Sequence, residues 1–288
     1  MERRTKSYLQ LIKPGITLSN SMTAAAGFFL AASQFGFSWS RFAGTIGGVA
    51  LIIASACVVN NIYDRNIDAK MSRTKGREIA SGHITLQMAA LYAMALGSLG
   101  LWLLYTFTNQ TTVLLGLLSY FWYVVVYSVA KRTTPLSTVI GAVCGALPPM
   151  AGYAALAGKI DDTAWVLFWV LMVWQLPHFY AIAIFRENDY RKANLPVWSV
   201  LLGAENTKAQ ILFWVAVFTI VVALPSVIGA TGNIYLTVML ALSVYWLAQG
   251  VWYYRREKTD RWAKRMFGIS LVVLLTFCAM ISVGGIIA

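Results

Sequence analysis

Long runs of apolar residues separated by short polar stretches cover most of this chain. Each run is close to the length of about 20 residues that an α-helix needs to cross a bilayer. The runs are continuous rather than alternating, so they predict helices and not the strands of a membrane barrel. Nine candidate spans result, at residues 15–35, 41–61, 86–106, 111–130, 136–157, 163–184, 210–229, 233–253 and 266–287. We therefore expect an all-α, polytopic membrane protein.

Composition agrees with this fold class, since 59% of the 288 residues are hydrophobic and 12% are charged. Cys57, Cys144 and Cys278 lie within predicted spans without C-x-x-C spacing, so neither a disulfide framework nor a zinc site is indicated. The segment from Met1 to Lys6 has the positive charge of a signal-peptide flank. The apolar run after it is long and begins an array of spans, so we interpret it as a retained first helix.

The distribution of basic residues predicts the orientation. Among the 23 Lys and Arg, all except Arg41 and Lys159 fall in the N-terminus or in the loops after spans two, four, six and eight. Under the positive-inside rule these segments are cytoplasmic, and an odd number of spans places Ala288 on the opposite face. The net charge of +12 is therefore a topology signal and not a nucleic-acid footprint, although some of these side chains can contact anionic lipid.

Two of the cytoplasmic loops, 62–85 and 185–209, are long and rich in charge. Loops of this length often carry function, so we expect both to cap a site at the membrane surface. They follow corresponding spans in two successive four-helix stretches, a pattern consistent with internal duplication. No soluble domain is evident, and residues 1–288 are interpreted as a single transmembrane domain.

The most informative polar pattern is N-N-x-x-D-x-x-x-D, formed by Asn60, Asn61, Asp64 and Asp68 at the end of span two. Residues four apart share a helix face, so Asn60, Asp64 and Asp68 are expected to align. Mg²⁺ prefers oxygen ligands and is usually held by one or two carboxylates together with substrate phosphates. The pattern predicts a diphosphate-handling magnesium site. The alternative is a solvated polar cluster that caps a helix end.

Basic residues near this pattern are candidate phosphate donors. Arg73 and Arg77 follow it in the first long loop, and Lys131 and Arg132 close span four at the same predicted face. Arginine can bind phosphate oxygens with forked hydrogen bonds. The alternative is topological anchoring, because cytoplasmic loops carry basic residues in any case.

Span six ends in a second polar group. Gln175 and His178 interrupt an apolar run, and polar residues at membrane depth usually face a bundle interior or a cavity. Arg186 and Asp189 follow in the second long loop. A lone histidine in this position can also be a hydrogen-bonded core residue.

Four sequence blocks together resemble the intramembrane prenyltransferases of the UbiA superfamily, and within it the haem-modifying branch, the protohaem IX farnesyltransferases. The blocks are Leu11-Ile12-Lys13-Pro14-Gly15-Ile16-Thr17; Asn60 to Asp68 with Arg73-Thr74 and Arg77; Tyr127-Ser128 with Lys131-Arg132-Thr133, continuing to Gly145-Ala146-Leu147-Pro148-Pro149; and Gln175-Leu176-Pro177-His178-Phe179 with Arg186 and Asp189-Tyr190.

Two positions depart from the superfamily pattern. Most members have a second aspartate-rich motif after span six, whereas this stretch opens with His178 and keeps Asp189, an alteration that resembles the haem branch. Relatives often have Arg-Pro where this chain has Arg77-Glu78, which affects the expected shape of the first long loop.

The resemblance implies nine helices around a central cavity and the Mg²⁺-dependent transfer of a farnesyl group from farnesyl diphosphate to the 2-vinyl group of haem B, giving haem O. It implies metal ligands at Asn60, Asp64, Asp68 and Asp189, catalytic roles for Asp64, Asp68, Lys131 and Arg132, and substrate binding by Asn61, Arg73, Arg77, Ser128, Gln175, His178 and Arg186. The expected partners are both substrates, membrane lipid, and proteins of haem-copper oxidase assembly or haem A synthesis. The expected location is a bacterial plasma membrane.

Three other functions stay open from the residues alone. A UbiA-type enzyme with an aromatic or quinone-precursor acceptor keeps the same first motif, although the altered second motif argues against it. A transporter would place its carboxylates near the membrane midplane rather than at one face. A structural or haem-delivery protein needs no diphosphate clamp.

Overall fold

The structure is a computed structural model that describes residues 2–284, with side chains from residue 7 onwards. Every regular element in this part of the chain is helical. The elements are α1 Glu2–Leu11, α2 Pro14–Phe35, α3 Trp39–Asp68, α4 Leu86–Phe107, α5 Gln110–Phe121, a π-helical stretch Trp122–Tyr127, α6 Ser128–Thr133, α7 Ser137–Ala157, α8 Asp162–Phe185, α9 Glu187–Lys192, α10 Trp198–Val221, α11 Leu224–Val227, α12 Asn233–Tyr253 and α13 Thr259–Gly284.

The membrane-spanning capacity of these helices confirms the expected fold class. Within the described residues, eight helical segments are long and apolar enough to cross a bilayer: α3, α4, α5 through α6, α7, α8, α10 through α11, α12 and α13. The remaining predicted span corresponds to α2, which has 22 residues. Its first half contains Ser19, Asn20 and Ser21, which lower its mean hydropathy. The chain is an integral, multi-pass membrane protein.

Several helices extend beyond the apolar runs that predicted them. Helix α3 continues to Asp68 rather than ending at 61, so the first predicted loop, 62–85, begins in fact after this residue. The second predicted loop, 185–209, contains α9 and the start of α10. Helix α13 starts at Thr259 instead of 266. These differences have one cause, because a hydropathy pattern marks the part of a helix in the bilayer and not its polar continuation.

Helix α8 forms the centre of the bundle and packs against α7, α10 and α13. Small residues allow the neighbouring pair α2 and α7 to approach closely. A Cβ atom on Gly27 would lie 2.0 Å from the backbone oxygen of Pro149, and one on Gly152 would lie 1.9 Å from that of Ala24. Small residues of α7 and α2 therefore allow the two backbones to lie in direct contact.

Polar residues from several helices meet at one end of the bundle. The end of α3, the start of α2 and the end of α6 converge there, as hydrogen bonds between them show. The segments 69–85 and 186–197 meet at the same end. This convergence gathers most of the polar residues that the sequence singled out.

Candidate active site

Asp64 and Asp68 lie on the last turns of α3 and are almost fully buried, with 0% and 1% of their surface exposed. The predicted helical spacing is present, since Asn60, Asp64 and Asp68 all lie within α3. Buried carboxylates are stable only when they are paired or hydrogen bonded. The partners of these two groups therefore define the site.

Asp64 is paired with the end of α6. Lys131 Nζ donates to Asp64 Oδ2 at 2.6 Å, and Arg132 lies 3.5 Å from Oδ1. Arg132 also donates to the backbone oxygen of Tyr63 at 2.6 Å. The π-helical stretch Trp122–Tyr127 directly precedes α6. A π-turn adds a residue to a helix, so it shifts the angular position of the side chains that follow it.

Asp68 is paired with the loop that follows it. Arg77 donates from one guanidinium nitrogen to Oδ1 at 2.9 Å and to Oδ2 at 2.8 Å. The hydroxyl of Thr74 donates to the backbone oxygen of Asp68 at 3.0 Å. These bonds turn the loop back onto the end of α3.

The segment between α1 and α2 provides a third cation. Lys13 Nζ donates to Asn60 Oδ1 at 2.6 Å, and Asn61 Nδ2 donates to the backbone oxygen of Leu11 at 2.9 Å. Lys13 has a left-handed backbone with φ 49° and ψ 70°. This is unusual for a residue before proline and costs about 1–3 kcal/mol, so surrounding contacts must hold it in place.

The pKa of Lys13 is affected by its burial and by the cations around it. Burial lowers the pKa of Lys13 to about 8, and the positive charges of Arg77 and Lys131 act in the same direction. Lys13 was not among the predicted site residues. It belongs to the first resemblance block, but neither periodicity nor spacing predicts that a residue there reaches Asn60.

Two polar atoms in this cluster lack a partner. Asn60 Nδ2 and Asn61 Oδ1 are buried, and neither has a hydrogen bond to any described residue. Burying an unsatisfied polar group costs about 1–3 kcal/mol, so such atoms are uncommon in folded proteins. Their position beside two buried carboxylates indicates a place where a ligand completes the bonding.

The donor chemistry of the cluster fits Mg²⁺. Asp64, Asp68 and the Asn side chains offer oxygen atoms, which this ion prefers. Among the described residues, no three His, Cys, Asp or Glu side chains gather closely enough to hold a metal ion by themselves. A site with two carboxylates is sufficient when substrate phosphates complete the coordination.

Asp189 lies in a different contact, between the two long loops. Its Oδ1 accepts hydrogen bonds from the backbone nitrogen of Ser72 at 3.0 Å and from the Ser72 hydroxyl at 2.9 Å. Buried apolar residues back this contact: Met71, Ala193, Leu195 and Val197. Ser72 is a second residue that sequence reasoning missed, because its partner lies 117 positions away.

The other predicted substrate-binding residues lie outside the carboxylate cluster. Ser128 donates to the backbone oxygen of Tyr123 at 3.2 Å within its own helical segment. Gln175 Nε2 donates to the backbone oxygens of Ala142 and Leu171, each at 3.0 Å, between α7 and α8. Arg73 and Arg186 lie exposed on the two long loops.

His178 packs between α8 and α13. Its Nδ1 lies 2.7 Å from the Ser270 hydroxyl, and Trp174 Nε1 donates to the Ser270 backbone oxygen at 2.9 Å. The imidazole stacks on Trp174 with a centroid distance of 4.8 Å and lies 4.8 Å from the Phe267 ring. The side chain is thus held by aromatic neighbours and makes no hydrogen bond with the described carboxylates of α3.

The chain is similar to known proteins over nearly its whole length. A sequence model of the UbiA prenyltransferase family matches residues 20–277. Protoheme IX farnesyltransferase 1 of Shewanella frigidimarina is 41% identical over 273 residues, which cover 94% of this chain and 90% of that protein. Protoheme IX farnesyltransferase of Pectobacterium atrosepticum is 41% identical over 280 residues, covering 96% and 94%.

Solved structures show the same fold. A structure described as digeranylgeranylglyceryl phosphate synthase matches with a TM-score of 0.79 at 20% identity, covering 99% of both chains. A UbiA homologue from Archaeoglobus fulgidus bound to GPP and Mg²⁺ matches with a TM-score of 0.68 at 19% identity, covering 96% of this chain and 99% of that one. At this identity the likeness establishes the architecture.

Proposed function

The chain belongs to the UbiA prenyltransferase family, and from that premise we propose that it transfers a farnesyl group from farnesyl diphosphate to the 2-vinyl group of protohaem IX, giving haem O. The observation that carries this proposal is the near-full-length similarity, at about 40% identity, to proteins named protoheme IX farnesyltransferase. The cluster of carboxylates and cations at one end of the bundle supplies the groups that a diphosphate donor requires.

Asp64 and Asp68 would hold Mg²⁺, with Asn60 and Asn61 beside them. Asp189 lies apart from them, on Ser72, and would belong to a second metal position. When bound, the ion would neutralise negative charge that develops on the departing diphosphate. Its use here is also supported by the Archaeoglobus homologue that binds GPP and Mg²⁺.

Four cations can serve the diphosphate: Lys13, Arg77, Lys131 and Arg132. Each is now bonded to an oxygen of Asn60, Asp64 or Asp68. When a diphosphate enters, these donors can turn to its oxygens while the carboxylates turn to the metal. Preorganised donors of this kind stabilise the charge on a leaving group because they need little rearrangement during reaction.

The proposed transfer breaks one carbon–oxygen bond and forms one carbon–carbon bond. The carbon–oxygen bond of the allylic diphosphate breaks, and the electron pair leaves with the diphosphate. The π electrons of the haem vinyl group form a bond to the farnesyl carbon. Water then adds to the resulting cation and loses a proton, which gives the hydroxyethylfarnesyl side chain. Water must be excluded until the carbon–carbon bond has formed, because early capture would hydrolyse the donor.

The farnesyl chain needs an apolar path below the carboxylates. A small cleft of about 20 Å³ between α3, α5 and α7 is lined in part by Ile52, Gly116 and Leu147. Ile52 precedes Asp64 by about three helical turns toward the membrane interior. The cleft has room for about one water molecule, so these helices would have to separate for the isoprenoid to enter there, with the two long loops capping the diphosphate from the cytoplasmic side.

Incubation of the purified protein with haem B, farnesyl diphosphate and Mg²⁺ tests the proposal directly. Mass spectrometry should detect haem that has gained a farnesyl group and a hydroxyl group. Omission of Mg²⁺ with added chelator should abolish the product. Prenylation of an aromatic quinone precursor, with no product from haem, would contradict the assignment of the acceptor.

A further inference from the structure

The contact between Ser72 and Asp189 brings two arginines from separate loops to one place. Arg73 directly follows Ser72, whose backbone nitrogen and hydroxyl both donate to Asp189 Oδ1. On the other loop, the Asp189 backbone nitrogen donates to the Arg186 backbone oxygen at 3.0 Å. Arg73 and Arg186 therefore flank a buried contact, and both side chains are exposed.

These two arginines differ from the four cations of the carboxylate cluster. Lys13, Arg77, Lys131 and Arg132 are all bonded to oxygens on α3. In contrast, the side chains of Arg73 and Arg186 make no ion pair or hydrogen bond with any residue between 7 and 284; that of Arg186 only approaches the Phe185 ring, 5.7 Å from its centroid.

Nearby acids do not neutralise this pair. Glu187 is already paired with Arg191. Asp189 uses Oδ1 for Ser72 and lies in no ion pair with either arginine in the described part of the chain. The pair is thus a local excess of positive charge.

The proposed acceptor has the complementary chemistry. Protohaem IX carries two propionate carboxylates on one edge of an apolar macrocycle and its vinyl groups on the other side. A carboxylate is strongly disfavoured in hydrocarbon, so the propionate edge must lie at the membrane surface while the vinyl edge points inward. Guanidinium groups match carboxylates with paired hydrogen bonds.

We propose that Arg73 and Arg186 bind the two propionates of the porphyrin acceptor and so orient its vinyl edge toward the donor. The inference rests on the proposed function, and it names the residues that would recognise the acceptor. It assigns Arg73 to the acceptor rather than to the diphosphate. The Ser72–Asp189 contact then has a positioning role, because it fixes the distance between the two loops that carry the arginines.

Esterified haem provides the test. Arg73→Gln, Arg186→Gln and the double variant should be compared with Lys75→Gln and Lys192→Gln, which remove neighbouring exposed charges on the same two loops. KM should be measured for haem B, for its dimethyl ester and for farnesyl diphosphate. Binding of haem B and of the ester should also be titrated by absorbance without the donor.

In the wild type, the ester should bind more weakly than haem B. The double variant should weaken haem B binding by about tenfold or more, since hydrogen bonds to charged groups are worth at least that factor. It should also bind haem B and the ester alike, while KM for farnesyl diphosphate stays unchanged. The control variants should keep the wild-type preference.

Two results would overturn the inference. One is equal binding of haem B and its ester by the wild type. The other is a rise of KM for farnesyl diphosphate, with haem binding unchanged, in the arginine variants. Failure of the proposed function is recognised separately, as binding of haem B without any farnesylated product in the wild type.

Discussion

At the scale of single residues, two carboxylates and one amide on α3 are each bonded to a cation from a different segment. Asp64 receives Lys131, Asp68 receives Arg77, and Asn60 receives Lys13. Removing one member of a buried pair leaves the other without compensation, which is often more damaging than removing both. Isosteric substitutions are therefore the sharpest probes of these positions.

Asp64→Asn or Asp68→Asn should abolish transfer, because either change removes a proposed metal ligand and the charge stabilisation that the ion supplies. A loss of several kcal/mol corresponds to a fall in turnover by orders of magnitude. Turnover should be measured at saturating Mg²⁺ in variants whose membrane insertion is verified. Near-normal activity in both would refute the assignment.

Lys13→Met should lower turnover by about tenfold, since it removes a charge-assisted hydrogen bond to Asn60. The matched control is Lys70→Met, which removes an exposed cation on the other side of the motif. Turnover and thermal stability in detergent should be recorded for both variants. A stability loss in Lys13→Met without any change in turnover would limit Lys13 to a structural role.

His178→Ala should weaken haem binding while the affinity for farnesyl diphosphate stays close to that of the wild type. The physical reason is that Ser270 engages Nδ1, so Nε2 is the ring nitrogen available to the proposed acceptor. Isothermal titration of each substrate provides the measurement, with Ser270→Ala as a variant that frees the ring without removing it. Unchanged haem affinity and turnover in His178→Ala would show that the imidazole only packs the core.

At the scale of helices, hydropathy and spacing predicted where the spans lie and that Asn60, Asp64 and Asp68 share one helix. They did not predict Lys13 or Ser72, whose partners lie 47 and 117 positions away. Such contacts depend on how helices pack, which no local pattern records. The sequence also underestimated the length of α3, because the apolar run that marks a span stops at the membrane surface while the helix continues beyond it.

The crossing of α2 and α7 gives a prediction at this scale. Gly152→Ala should lower stability by about 1–3 kcal/mol, because overpacking at a close contact forces the backbones apart. The control is Gly268→Ala on α13, where an added Cβ meets no atom within 4 Å. Thermal unfolding in detergent provides the measurement. Equal stability of the two variants would mean that α2 and α7 can separate without cost.

At the scale of the whole molecule, the orientation depends on whether α2 crosses the membrane. Eight helical segments meet the length and composition requirement without it. If α2 also crosses, the two ends of the chain lie on opposite faces. The basic residues favour this arrangement, since the basic N-terminus lies on the same face as the other Lys- and Arg-rich loops only if α2 crosses.

A reporter inserted near Lys75 should therefore indicate the cytoplasmic face, and one fused after Ala288 should indicate the opposite face. Ala288 lies outside the described residues, so its side of the membrane is predicted from charge alone. Activity of a compartment-specific reporter in whole cells provides the measurement. The same signal at both positions would contradict the seven spans between them. A reporter at the N-terminus tests α2 itself: it should match the one near Lys75, and the opposite signal would mean that α2 does not cross.

The ion pairs on α3 have a thermodynamic consequence. A diphosphate that drew Lys131 away from Asp64 would leave a buried carboxylate unpaired, and Mg²⁺ held by Asp64 would leave the partly buried Lys131 ammonium without its partner. With only one of the two ligands bound, either Asp64 or Lys131 would lack a partner. With both bound, Mg²⁺ would pair with Asp64 and the diphosphate with Lys131. Donor and metal are then linked ligands with positive cooperativity. By the reciprocity of linkage, each should raise the apparent affinity of the other by the same factor.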